Sequence, residues 1–231
     1  MLGANATALS YLAASVLLIL ALKGLAHPET ARRGNVLGML GMALAIAITL
    51  MQPGVENYVW IALMFAAGGA IGWVAARRVP MTHMPQTVAL MHSLVGLAAV
   101  LIAAAAFADP VQYGIALEGA LRPASRVELA VGAVIGAITF TASLVAFGKL
   151  QGLLSSKPLL LPGRHAINLA LAAVIVGCIA WFFAAPNWTA LVVMNLVAFV
   201  LGVLLVVPIG GADMPVIVSM LNSYSGWAAA G

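Results

Sequence analysis

Gln86-Thr-Val-Ala-Leu-Met-His-Ser-Leu-Val-Gly-Leu-Ala-Ala-Val-Leu101 decides how this chain is read. It is apolar without alternation, and no Asp, Glu, Lys or Arg lies between Arg78 and Asp109. Such a run has the length and composition of a helix crossing a bilayer. At its centre stands His92. A titratable imidazole is expensive to keep among lipid-embedded helices, so it reads first as an ion or proton site, with scaffolding as the competing explanation. Histidine also gains and loses a proton near neutral pH, which points towards proton movement.

Working outward, the whole chain has the same character. Hydrophobic residues make up 64% and charged residues 7% of its 231 positions. A soluble domain carries roughly 25% charge, so this much apolar surface needs lipid. In lipid only helices or a closed barrel satisfy the backbone, and Leu- and Ala-rich runs without alternation exclude the barrel. The expected fold is an all-α, polytopic transmembrane bundle. Seven complete spans fall near 7–26, 35–52, 58–76, 86–108, 127–147, 164–184 and 189–207, with an eighth running from 215 to the end. Turn chemistry in Gln52-Pro-Gly-Val-Glu-Asn57 and Ala185-Pro-Asn-Trp188 joins antiparallel neighbours. Trp60, Trp73, Trp181 and Trp188 lie near span ends, where aromatic rings favour the interface.

Basic residues set the expected orientation. Lys23, Arg32, Arg33, Arg77, Arg78, Lys149, Lys157 and Arg164 collect at one side. Arg122 and Arg126, mixed with Asp109, Glu118 and Glu128, fall on the other. The positive-inside rule makes the first set cytoplasmic and puts the amino terminus outside. The net charge of +4 is therefore a topology signal, scattered over loops and unlike a nucleic-acid stripe. The first segment lacks a basic leader and reads as a span, not a cleavable signal. Cys178 is alone, so it makes no internal disulfide, and no Cys/His cluster suggests a metal. It reads as a small buried apolar group. Gly68 with Gly72, and Gly132 with Gly136, are spaced for close helix approach. No internal repeat supports an inverted-repeat transporter, and no extramembrane domain is expected within these residues.

Depth arithmetic picks out the polar residues. At 1.5 Å per residue His92 lies about 10 Å from the basic side, Asn222 about 12 Å, and Ser143 and Thr141 about 9–12 Å. Three helices thus bring polar groups to one level, although depth alone does not make them face each other. The imidazole would carry the charge, and Asn222 can donate and accept at once, which suits it to orient the ring or a bridging water. Polar glue between helices is the alternative for all of these groups. For Ser143 and Thr141 a bond to the preceding carbonyl is the simpler expectation. Asn195 sits deep in the seventh span with nothing to separate it from packing. His27, His83 and His165 fall in loops or at a helix start. Pro208-Ile-Gly-Gly-Ala-Asp-Met-Pro215 has adjacent glycines, bracketing prolines and a lone acid, Asp213, whose simplest role is to cap the eighth helix.

These residues carry a resemblance. Gly210-Gly-Ala-Asp-Met-Pro-Val-Ile-Val-Ser-Met-Leu-Asn-Ser-Tyr-Ser-Gly-Trp-Ala-Ala-Ala230 resembles the signature of the beta subunit of proton-translocating nicotinamide nucleotide transhydrogenase. Met91-His-Ser-Leu-Val-Gly-Leu-Ala-Ala-Val100, Thr139-Phe-Thr-Ala-Ser-Leu-Val-Ala-Phe-Gly-Lys-Leu150 and Ser156-Lys-Pro-Leu-Leu-Leu-Pro-Gly-Arg-His165 are similar to it as well. In that family NADH on one soluble domain reduces NADP on another, and proton flow through the membrane domain drives the reaction towards NADPH. The resemblance implies that His92 is the channel histidine, Asn222 its partner and Ser143 a channel-lining serine. It implies that Asp213 belongs to the loop facing the NADP-binding domain, with a coupling role beyond capping. It further implies an alpha subunit carrying an NAD-binding domain and additional helices, a dimer of such assemblies, and a bacterial inner membrane. A ninth helix and an NADP-binding domain are expected in the family, whereas this sequence ends at Gly231 and contains no Gly-x-Gly-x-x-Gly. The expectation is therefore a partial subunit that by itself neither binds nucleotide nor transfers hydride. The competing classes are a secondary transporter or channel subunit for a small solute, and a structural scaffold with His92 as a satisfied core residue.

Overall fold

The structure, a computed structural model, describes residues 3–52, 55–117 and 120–230. Pro53 and Gly54 of the first expected turn, Glu118 of the second charge set, and Gly231 lie outside the described residues. Eight α-helices make up most of the described residues: α1 (Ala4–Leu25), α2 (Ala31–Leu50), α3 (Tyr58–Arg78), α4 (Met84–Ala108), α5 (Pro123–Leu150), α6 (Arg164–Ala184), α7 (Trp188–Val206) and α8 (Met214–Ala230). Among the described residues, α1 to α7 are long and apolar enough to cross a membrane. The chain is an all-α, multi-pass membrane bundle.

Local chemistry explains where the helices start and stop. Pro85 and Pro123 occupy the first turns of α4 and α5, where the missing N–H costs nothing. Asn187 caps α7, its side chain accepting from the Ala190 amide at 2.8 Å. Gly163 precedes α6 at φ 72°, a left-handed backbone that suits glycine. Between α4 and α5 the chain forms a small antiparallel hairpin, β1 (Ala116–Leu117) with β2 (Ala120–Leu121), pairing Ala116 with Leu121. The sequence reading did not anticipate it.

The chain divides into two compact units, 1–73 and 74–231, with α3 running across the boundary. In the first unit, Ala14 and Ala21 of α1 and Gly34, Gly41 and Ile48 of α2 are buried. Their seven-residue spacing makes a narrow seam along which two helices pack at close range. The helices are closest where Gly24 meets Gly34, and an added Cβ at Gly34 would lie 2.8 Å from the Ala21 carbonyl oxygen and 2.8 Å from Gly24 C. Gly34→Ala is expected to open this hairpin at a cost of about 1–3 kcal/mol, seen as a lower midpoint of thermal unfolding in detergent. Gly68 and Gly72 do not behave in this way. A Cβ at either would meet nothing within 4 Å, so the spacing that suggested packing is not used within this unit.

The second unit is built around α5, the most deeply buried span. Ala130, Ala133 and Ala137 of α5 pack with Met194 and Ala198 of α7 and Phe182 of α6. Towards its other end, Ala142 and Ala146 meet Ala89 of α4 and Met214, Ile217 and Leu221 of α8. Small side chains on α5 let four neighbours approach a single helix. Gly96 of α4 lies directly on α5 at Gly136 and Phe140. Phe107 joins the α6 and α7 ends, with ring centroids 5.3 Å from Phe182 and 4.8 Å from Trp188. Cys178 is buried in the same core.

Candidate functional site

His92 and Asn222 meet. Ala89, Ser93 and Gly96 form the buried stripe of α4, and His92 stands at its edge, half-buried. Met214, Ile217, Val218 and Leu221 form the corresponding stripe of α8, with Asn222 beside it on the exposed flank. The two stripes seat their helices on α5, and the two edge residues are left facing each other. His92 Nε2 is 2.8 Å from Asn222 Oδ1. The other ring nitrogen, Nδ1, is 2.7 Å from the Val88 carbonyl oxygen one turn back. Both nitrogens are engaged, one with α8 and one with its own helix.

The remaining polar residues divide. Ser143 is fully buried on α5, and its Oγ has no hydrogen-bond partner among the described residues. Thr141 is bound elsewhere, donating to the Phe199 carbonyl of α7 at 2.8 Å. Thr139, also fully buried, donates back to the Ile135 carbonyl at 2.7 Å. Asn195 is buried, its Nδ2 on the Leu191 carbonyl at 2.8 Å and its Oδ1 without a partner among the described residues. Asp213 ends a short 3₁₀ turn, Gly211–Asp213, ahead of α8. Its carboxylate makes no hydrogen bond among the described residues, so the expected cap on α8 is not formed. His27, His83 and His165 are exposed.

A cavity of about 460 Å³ lies between α4 and α5, with Ser225 of α8 in its wall. Its lining runs from Val95 and Gly96, one turn beyond His92, to Ala106 on α4, and includes Ser125 and Glu128 on α5. That is about 16 Å along α4 at the helical rise. The walls between are Ala and Ile, and Glu128 is the only acid among them.

Residues 7–231 match the family described as NAD(P) transhydrogenase beta subunit. The chain belongs to that family. Two relatives from Rhodospirillum rubrum, one of them from a defined strain, are both named NAD(P) transhydrogenase subunit beta. Each is 54% identical over 225 residues, covering 97% of this chain and 48% of the relative. The chain thus spans about half the length of the relatives it matches.

For a transhydrogenase beta chain, Glu128 and Ser225 are the residues that sequence reasoning missed at this site. The signal was present in the helix start. With Pro123 as the first residue of α5, Ser125, Glu128, Leu129 and Gly132 share one face at helical spacing. The span read over 127–147 contained Glu128, which was counted with the charges of the outer side and not as part of a lining face.

Proposed function

We propose that this chain is the proton-carrying membrane part of a proton-translocating NAD(P) transhydrogenase, coupling proton movement to formation of NADPH. The observation that carries the reading is the 2.8 Å contact between His92 Nε2 and Asn222 Oδ1. Val88 O can only accept a hydrogen bond, so Nδ1 holds a proton. When the ring carries both protons, Nε2 donates to Asn222 Oδ1. When the ring is neutral, Nε2 accepts, and the Asn222 amide rotates to present its N–H. Protonation and amide orientation are thus one two-state element on the α4–α8 seam. A proton site drives work only when occupancy favours one conformation over another, and this pair supplies that difference.

The proton route follows the polar groups. Glu128 stands in the cavity that leads along α4 towards the His92 level. Ser143 Oγ, buried and without a partner among the described residues, is suited to hold a water beside the path. Thr141 contributes from behind, fixing α5 on α7 while Ser143 faces the route. Asp213, its carboxylate uncommitted, presents the state of α8 to the NADP-binding domain.

The nucleotides, which supply the hydride chemistry, are held in this reading by soluble domains of the full enzyme. Among the described residues there is no strand–turn–helix with Gly-x-Gly-x-x-Gly to cradle a dinucleotide phosphate. The partners are an alpha subunit with an NAD-binding domain and additional helices, the NADP-binding domain and the lipid bilayer, in a dimer of the full assembly. The basic ends, with Lys23, Arg32, Arg33, Arg77, Arg78, Lys157 and Arg164, face the cytoplasm of a bacterial inner membrane, and the amino terminus lies outside. Asn222→Leu in the intact enzyme tests the pair. Proton uptake and NADPH formation, measured together in proteoliposomes, are expected to fall roughly tenfold, a typical coupling between sites. Unchanged uptake in this variant would remove Asn222 from the switch.

A further inference from the structure

Lys149 is the basic residue that does not behave as a topology charge. Lysines near span ends usually extend their ammonium to the interface. Here the side chain turns inward and is only 5% exposed. Its Nζ donates to the Val207 carbonyl at 2.6 Å and to the Ile209 carbonyl at 2.7 Å. No carboxylate pairs with it among the described residues. A buried charge is costly unless its surroundings answer it, and here the carbonyl-rich end of α7 does so. The same end of the molecule is stitched at further points, among them Leu159 N, which donates to the Val207 carbonyl at 3.4 Å. Gly211 N donates to the Ser156 carbonyl at 2.9 Å, and Gln86 Nε2 donates to the Leu150 carbonyl at 3.3 Å. Segment 207–213, which ends in Asp213, is therefore tied to the last turn of α5 and the loop after it. Lys149 lies six residues beyond Ser143 on the same helix, about 9 Å along its axis.

We propose that Lys149 is a positioning residue that links α5 at the His92 level to the Asp213 segment. Separating α5 from segment 207–209 would strand the ammonium without its carbonyls, so the two elements move together. A neutral side chain would fill the space without holding both carbonyls. This inference rests on the proton-coupling reading above, and its test keeps the two apart. In the full enzyme in proteoliposomes, Lys149→Met, Lys149→Arg and His92→Ala are compared for the number of protons taken up per NADPH formed. Lys149→Met is expected to lower that ratio about tenfold while hydride transfer continues, a magnitude usual for a coupling contact. Lys149→Arg, which keeps a permanent charge and several donors, is expected to restore most of it. If Lys149→Met lowers both rates only in proportion to the assembled enzyme, leaving the ratio unchanged, the link is overturned. The same holds if Met serves as well as Arg. An unchanged ratio in His92→Ala would instead overturn the proton reading itself.

Discussion

His92→Ala is expected to lower coupled proton uptake in the intact enzyme about a hundredfold or more, the range typical of losing a proton-transferring side chain. The size of the effect follows from the two bonds the ring makes. Nε2 is the group that reaches α8 at Asn222, and Nδ1 is fixed by Val88 O in α4. Alanine removes the only group at this contact that changes charge, and it leaves the Asn222 amide without a partner on α4. No neighbouring group replaces it: Thr141 is bound to Phe199, and Ser143 cannot hold a charge at working pH. Uptake is read with a pH-sensitive dye alongside NADPH formation, and the amount of assembled enzyme is measured separately. Full uptake in this variant would contradict the role given to the ring.

The second large effect is expected from Gly96→Ala. A Cβ at this position would lie 2.6 Å from Phe140 N and 2.7 Å from the Gly136 carbonyl oxygen. Both obstacles are backbone, so no side-chain rotation relieves them. α4 would have to move away from α5, at a cost of about 1–3 kcal/mol for one methyl group too many in a packed contact. His92 lies one turn along the same helix, and a shift there lengthens its bond to Asn222. The variant is expected to assemble with a lower unfolding midpoint and to lose most of its coupled uptake. A normal midpoint with normal uptake would mean that the α4–α5 contact does not set the position of the ring.

The fold was legible because each span is an uninterrupted apolar run bounded by proline, glycine or charge. The span read over 164–184 is the helix Arg164–Ala184, and the one over 189–207 is Trp188–Val206 within a residue. The start of α5 was misplaced for a physical reason. Arg126 looks like a loop charge, but it folds onto backbone, donating to the Leu121 and Phe183 carbonyls at 3.1 and 2.9 Å. That lets the helix begin at Pro123. Lys149 was hidden in the same way, because composition counts a charge without showing where its side chain turns. Depth along a helix placed His92 and Asn222 at one level. Rotation about the helix axis decides whether they touch, and that depends on which stripe of α4 and α8 packs on α5. Gly68 and Gly72 illustrate the converse, since among the described residues nothing lies within 4 Å of a Cβ at either.

The central claim is that the ring of His92 changes charge during turnover. Nitrogen-15 resonance of selectively labelled histidine in the assembled enzyme, assigned by comparison with His92→Ala, reads that charge directly. Between the NADP-bound and NADPH-bound states the His92 signal is expected to move between imidazolium and neutral imidazole. A signal that keeps one charge state through both, while the enzyme still takes up protons, would contradict the account.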